Sequence, residues 1–496
     1  MNLDSKWVPM KWPCGPLEVA RRNKSQTIDT DLKETIEAWG QPATLGLLKG
    51  TPINCLIVEW AHGGPEDSGQ QQALKPLLEV GRRLGISFVG RIEAKDGLEG
   101  AIETGRAAGL SAVLLAGPAR ESYALPVIQE FPRDKVAWET TSPIFSVTDN
   151  VWPGVGLEAM KEDTVMAGPT GAPWVRTNGW FSLLGHELAP GKTLWLDFDP
   201  PDSSSLARPA AYGLAVADSE AYAGRWIISL DDKLRAALPK GNPQAMGIWA
   251  KLCESIQFFE NHREWRTFKT QGVLAVVSDF RGDNAFMSTE LLNLITRRHV
   301  QYQIIERAQL LSAPTQGLKA IIWVDKDTPS AQQLSKLDTF TRQGGLLITP
   351  IYWGPAGVKP YKRDPSIPYN VYNVGKGEMA VPEEGFLDPF QVAGDTHMLV
   401  SHRNDLVRLY NPGTMNLLSD IDQSHKKRLI HILNYSSGPA SSVVLYVNSK
   451  DHLGRIVMPG TKTPLTIHGT AASPGTEFKL PTVADYCALL LEGSNL

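Results

Sequence analysis

The sequence predicts an α/β chain in three parts: a (β/α)8 barrel, a flavodoxin-like α/β domain and an antiparallel β-sandwich. Three observations predict it. Short β-rich apolar runs alternate with longer helical stretches as far as Lys269, and the alternation restarts at Gln271-Gly272 with VLAVVSD. After about Val392 the helical period gives way to short apolar runs set between Gly, Pro, Ser and Asn.

In the first part the expected strands are Lys6 to Met10, Ile53 to Glu59, Ile86 to Glu93, Ala112 to Ala116, Val136 to Glu139, Trp174 to Asn178, Leu194 to Asp197 and Trp226 to Leu230. Helical stretches lie between them, such as Gln70 to Leu84, Leu98 to Ala108 and Leu206 to Tyr222. The last helix, Pro243 to Phe268, places Ala245, Ile248, Trp249, Leu252, Ile256 and Phe259 on one face. Eight such repeats within residues 1–269 match a barrel in length and rhythm. Residues 270–375 hold VLAVVSD, KAIIWV and GLLITP separated by helical segments, a small doubly wound pattern, and Tyr352 to Pro368 reads as a long loop. Residues 390–496, with RLIHILNY, SVVLYV and ADYCALLLE, read as the sandwich.

Composition limits the function. Forty-nine basic and 53 acidic residues leave a net charge of −4 with no basic cluster, which excludes a nucleic-acid partner. No run of 18 apolar residues offers a membrane span. Cys14, Cys55, Cys253 and Cys487 are widely spaced and form no C-x-x-C pair, so free, mostly buried thiols are expected. The start, MNLDSKWVPMKWPCGP, lacks the charged-then-apolar pattern of a signal peptide. Free thiols suit the cytoplasm and a removed leader would suit export, so the compartment stays open.

Reactive groups of such a barrel sit at the carboxyl ends of its strands. Four expected strands end in a carboxylate: Glu59, Glu93, Glu139 and Asp197. Period two puts Asp199 on the same face as Asp197. Each acid alone is as well explained as a helix cap or an ion-pair partner; the four together point to an acidic mouth. All 14 tryptophans except Trp323 and Trp353 precede residue 270, and an indole offers an apolar platform for a sugar ring. Alternation turns Trp60 and Trp138 toward the core, whereas Trp195 shares a face with Asp197, and Trp152 and Trp180 fall in or beside loops. Asn178, in WVRTNGW, either holds a sugar hydroxyl or caps the next helix. The sequence lacks H-E-x-x-H, G-x-S-x-G, Walker A and G-x-G-x-x-G patterns, so no cofactor or metal is expected. Carboxylates beside aromatic platforms suit hydrolysis of a glycosidic bond.

The eight-strand rhythm, followed by VLAVVSDFRGDN, by KAIIWVDKDTPSAQQLSKLDTFTRQGGLLITP and by GTEFKLPTVADYCALLLEG, resembles bacterial glycoside hydrolases of the β-galactosidase kind. There a catalytic barrel precedes a class I glutamine-amidotransferase-like domain and a β-sandwich. The resemblance implies a saccharide substrate, paired-carboxylate catalysis and homo-oligomer contacts through the middle domain. It also implies an Asn-Glu pair ending strand four, which this sequence lacks; its fourth strand runs into AGPARE. No cysteine lies between residues 254 and 486, so amidotransferase chemistry is not expected. On this resemblance Asp197, ending strand seven, is the expected nucleophile and Glu139 the expected acid/base. Glu121 is a poorer candidate, and Glu59, Glu93, Asn178, Asp199, Trp152, Trp180 and Trp195 are the expected sugar-binding residues. The alternative is a non-catalytic saccharide-binding or scaffolding protein on the same fold.

Overall fold

The computed structural model describes residues 3–24, 29–93, 97–116, 123–156, 158–159, 165–166, 174–201, 206–410 and 413–493. They form two compact units, one of Met1–Gly154, Arg176–Asn178 and Ala189–Arg263, the other of Val155–Val175, Gly179–Leu188 and Glu264–Leu496.

The first unit holds a parallel barrel. Its strands follow chain order around the sheet: Pro9–Lys11, Cys55–Ala61, Ser87–Ile92, Ala112–Ala116, Val127–Pro132, Ile144–Thr148, Thr193–Leu196 and Arg225–Trp226. The ring closes through a parallel bridge between Met10 and Ile228, where the Lys11 amide donates to the Ile228 carbonyl at 2.9 Å. Side chains alternate between the barrel interior and the helix side. Cys55, Ile57, Val89, Ala112, Leu114, Ile128, Ile144, Trp195 and Ile227 pack with Trp7 as the interior core. Continuing each strand by two residues aims Lys11, Glu59, Arg91, Glu130, Asp197 and Ser229 inward above that core. Sequence pattern therefore dictates an apolar floor under a polar storey.

The expected number of strands is found, but two are different segments. Val136 to Glu139 is no strand: it lies in a turn region and Glu139 is exposed. Strand five is Val127–Pro132 and strand six Ile144–Thr148, whereas Trp174–Arg176 belongs to a separate two-stranded ribbon. The reason is physical. VIQEFP carries Gln129 and Glu130 in mid-run and lies between Pro126 and Pro132, so it lacks an apolar signature. Its buried carboxylate is compensated by Arg91 from strand three, which no local pattern reports. Between strands five and six the one described helical element is the 3-10 turn Arg133–Lys135, so the β-α rhythm breaks there.

In the second unit, Tyr302–Glu306, Leu274–Ser278, Ala320–Trp323, Leu346–Ile348 and Gly377–Pro382 lie parallel in that order, and Tyr369–Val374 adds an antiparallel edge. Asp325, which follows the strand of KAIIWV, is fully buried. It accepts from Ser278 Oγ and pairs with Arg307 at 2.8 Å. Antiparallel sheets of six and four strands close the chain around a shared apolar core that includes Ile430, Leu445, Phe478 and Leu489. All four cysteines are free thiols, and Cys14, Cys55 and Cys487 are buried. No described helix is long and apolar enough to cross a membrane.

Candidate active site at the barrel mouth

At the carboxyl ends of the strands the polar storey forms an interlocking set of charges. Lys11 Nζ lies 2.7 Å from Asp197 Oδ1 and 3.0 Å from Asp199 Oδ1. Asp199 also accepts from Ser229 Oγ at 2.5 Å, and Arg235 Nη2 donates to that hydroxyl at 3.1 Å. Across the mouth, Arg91 Nη2 meets Glu130 Oε2 at 3.0 Å and Glu93 Oε1 at 3.5 Å, and Arg91 Nη1 lies 3.7 Å from Glu59 Oε1. The other Glu59 oxygen is 2.8 Å from His62 Nε2.

The helices after strand one complete the rim. Helix Pro16–Asn23 brings Glu18, which pairs with Arg21 at 2.8 Å and Arg22 at 3.1 Å, and Arg22 reaches Asp232 at 2.6 Å. Its start is fixed by Gln70, whose Oε1 accepts from the Leu17 amide and whose Nε2 donates to the carbonyls of Cys14 and Glu59. Gly15, at φ +84°, is required there, because a Cβ would fall 2.2 Å from Gln70 Oε1. Asp231 caps helix Asp232–Ala237 by accepting from the Leu234 amide, and it also accepts from Tyr212 Oη at 2.6 Å.

These environments drive neighbouring carboxyls apart. Burial raises the Glu130 carboxyl above its ordinary value and the charge of Asp197 adds to the rise, while Arg91 opposes it. Glu130 Oε1 is buried and has no protein hydrogen-bond partner. Asp199 goes the other way: desolvation pushes it up, but Lys11, Arg235 and the Ser229 hydroxyl together hold it below the usual carboxylate range. Lys11 is desolvated too, yet Asp197 and Asp199 hold its ammonium above the usual value. His62 is raised by its hydrogen bond to Glu59.

The expected residues divide clearly. Glu59, Glu93, Asp197 and Asp199 gather at the mouth. Glu139 does not: it lies in the turn region preceding strand six, at the amino-terminal end of the strands. Trp195 is fully buried in the barrel core beneath Asp197, tilted against Trp7 with ring centroids 6.4 Å apart. Trp60 is buried and donates to the Ala101 carbonyl; Trp138 is buried edge-on to Phe145. Trp152 is partly buried against Tyr212 and Trp226. Trp180 is buried against Phe181 in the second unit. Asn178 is fully buried: its Oδ1 accepts from the Val151 amide and Arg133, and its Nδ2 donates to the Val151 carbonyl and Asp218. Glu121 lies outside the described residues.

Sequence reasoning missed Glu130, Arg91 and Lys11. Period two from Val89 in FVGRIE points Arg91 inward, and one more residue on strand one reaches Lys11. Glu130 had no such signal, because its strand was not recognisable. His62, Glu59 and Glu93 bring three donor atoms within 4.8 Å of one another, but Arg91 already supplies the positive charge a metal would bring to these carboxylates. Lys11, Glu59, Arg91, Glu130 and Asp197 line a small open cleft of about 30 Å³.

No protein-family model matches this chain, and no curated protein matches it in sequence. Among solved structures it is similar to α-L-fucosidase isoenzyme 2 from Paenibacillus thiaminolyticus, with a TM-score of 0.55 and 11% identity over 99% of this chain and 100% of that one. It is also matched to a β-galactosidase from the haloarchaeon Halorubrum lacusprofundi, at TM-score 0.47 and 10% identity over 91% and 96% of the two chains. A third is β-galactosidase from Bacillus circulans sp. alkalophilus, at TM-score 0.40 and 9% identity over 86% and 67%. The likeness to the fucosidase extends over the whole length and establishes a shared fold.

Proposed function

We propose that the barrel mouth binds a saccharide and hydrolyses a glycosidic bond, with Glu130 as general acid and Asp197 as nucleophile or base. The observation that carries this reading is Glu130: a carboxyl raised by burial, with one oxygen unpartnered in protein, beside a second carboxyl salt-bridged to Lys11. Acid-assisted cleavage of an acetal needs one carboxyl that gives up a proton and a second that supports the positive charge. Glu130 donates its proton to the leaving oxygen; Asp197 supports the developing positive charge and attacks, or activates water. Arg91 then stabilises the carboxylate left on Glu130. Glu59, Glu93 and Asp199 face sugar hydroxyls. Glu139 has no role in this assignment.

A second reading is favoured by one observation: apart from the free oxygen of Glu130, the mouth acids are engaged by cations, His62 or Ser229, as a binding or structural mouth would be. Release of sugar or chromophore from a panel of aryl glycosides and oligosaccharides separates the two. Turnover that falls by roughly 100-fold or more in Glu130→Gln and in Asp197→Asn, but persists in Glu139→Gln, supports hydrolysis. Silence across the panel with saccharide binding retained supports the second reading, and absence of both turnover and binding overturns the saccharide assignment. The homo-oligomer implied by the resemblance is tested by solution mass; a monomer at micromolar concentration refutes it.

A further inference from the structure

We infer that His397, His402 and Asp405, in the second unit, form a binding site for a divalent transition ion of the zinc class. His397 stands in the last turn of helix Pro389–Val400; the chain then turns at Ser401, with φ +67°, into the 3-10 turn His402–Asn404. Asp405 follows, two residues before strand Val407–Tyr410. This sharp reversal brings the three side chains together. His397 Nε2 lies 3.3 Å from His402 Nδ1, and His402 Nδ1 lies 2.8 Å from Asp405 Oδ2, with all three atoms within 4.8 Å of one another. The two imidazoles meet edge to face with centroids 4.3 Å apart.

The arrangement is poorly served by protons alone. His402 Nδ1 carries at most one hydrogen and has two close neighbours, His397 Nε2 and Asp405 Oδ2, so a proton there serves one of them and not both. A metal accepts a lone pair from all three atoms at once. Ligands about 2.0–2.1 Å from a tetrahedral zinc lie about 3.3 Å apart, the spacing of the two ring nitrogens. Two imidazoles with one carboxylate suit zinc and its transition-metal neighbours rather than calcium or magnesium. Asp405 is nearly buried, while the exposed His402 leaves an entry path and room for a solvent ligand. The nearby Arg408 does not fill the position. Its closest approach to Asp405 is 3.7 Å, and its guanidinium is held over Tyr410 and Tyr446 and donates to Tyr410 Oη. The Glu59, His62 and Glu93 group differs in its donors, one imidazole with two carboxylates, and a single guanidinium, that of Arg91, approaches both carboxylates.

The test uses the full chain after exhaustive dialysis against chelator, titrated with Zn²⁺ by calorimetry and with Co²⁺ by visible absorption. The expected result is one equivalent bound, with the intense d–d band of four-coordinate cobalt. His397→Ala and His402→Ala each weaken binding on the order of 100-fold or more, and His62→Ala leaves it unchanged. Asp405→Asn, close in shape, provides a variant that keeps the fold and loses affinity. Zinc also protects His402 from diethylpyrocarbonate in the unmodified protein. Absence of stoichiometric binding to the folded protein overturns the inference, as does affinity unaltered in His397→Ala and His402→Ala.

Discussion

Replacing Arg91 by methionine removes the cation that faces Glu130, Glu93 and Glu59 while leaving most of the apolar stem. At 3.0 Å the Arg91–Glu130 attraction amounts to about 5 kcal/mol with an effective dielectric near 20. The variant does not lose that amount at every pH, because Glu130 can discharge by taking up a proton. Its folded-state pKa, already raised by burial, rises further without Arg91. The folded state then holds a proton that the unfolded state, with a pKa near 4.3, releases. Stability therefore falls as pH rises above about 4.3 and levels off above the folded pKa, at up to about 1.4 kcal/mol per pH unit. At pH 5 the variant should lie within about 1–2 kcal/mol of the parent. At pH 8 the deficit should approach 4–5 kcal/mol, the range measured for broken buried ion pairs. Hydrogen exchange in urea, followed in peptides from barrel strands three and five, reads the barrel without interference from unfolding of the second unit. Adding Glu130→Gln should flatten the pH dependence and recover most of the loss. A deficit equal at pH 5 and pH 8, or a double variant that tracks the single one, would refute the reasoning.

Three further outcomes follow from packing. Gly81→Ala places a Cβ 2.4 Å from the Phe88 ring and should cost about 1–3 kcal/mol, whereas Gly46→Ala, with open space around it, should stay within about 0.5 kcal/mol; paired urea melts compare them. Asp231→Ala removes the cap on Leu234 and the acceptor of the buried Tyr212 hydroxyl, which keeps the residue 231 amide as its donor, and the barrel should lose about 1–3 kcal/mol by the same measurement. Burial pushes the Cys253 and Cys487 thiols up to about 12 and raises Cys14 and Cys55 further, so a thiol reagent at pH 8 should leave all four intact for hours and modify all four in denaturant.

How far the sequence discloses the molecule depends on where the compensating interaction lies. CLIVEW, FVGRIE and LWLD are legible because strand period and burial agree locally, and each places an inward acid at the mouth. Tryptophan alternation is legible for the same reason: Trp60 and Trp138 are packed as alternation requires. VIQEFP is not legible, because a buried glutamate between prolines makes sense only opposite Arg91, about forty residues earlier in the chain. Val136 to Glu139 looked like a strand because VAW is apolar, yet Trp138 packs on Phe145 from a turn. Attention to carboxylates alone also hid the cations. The mouth is a charge network in which Lys11 and Arg91 face most of the acids.

The Met10–Ile228 bridge bears on synthesis of the chain. At roughly 5–20 residues per second, strand one leaves the ribosome some ten to forty seconds before the partner that completes its hydrogen bonds exists. Through that interval Trp7, Val8 and Met10, buried in the finished barrel, have no closed ring to enter. Strand one thus stays without its closing partner throughout that interval, and a ribosome stalled before residue 228 should present it to a chaperone.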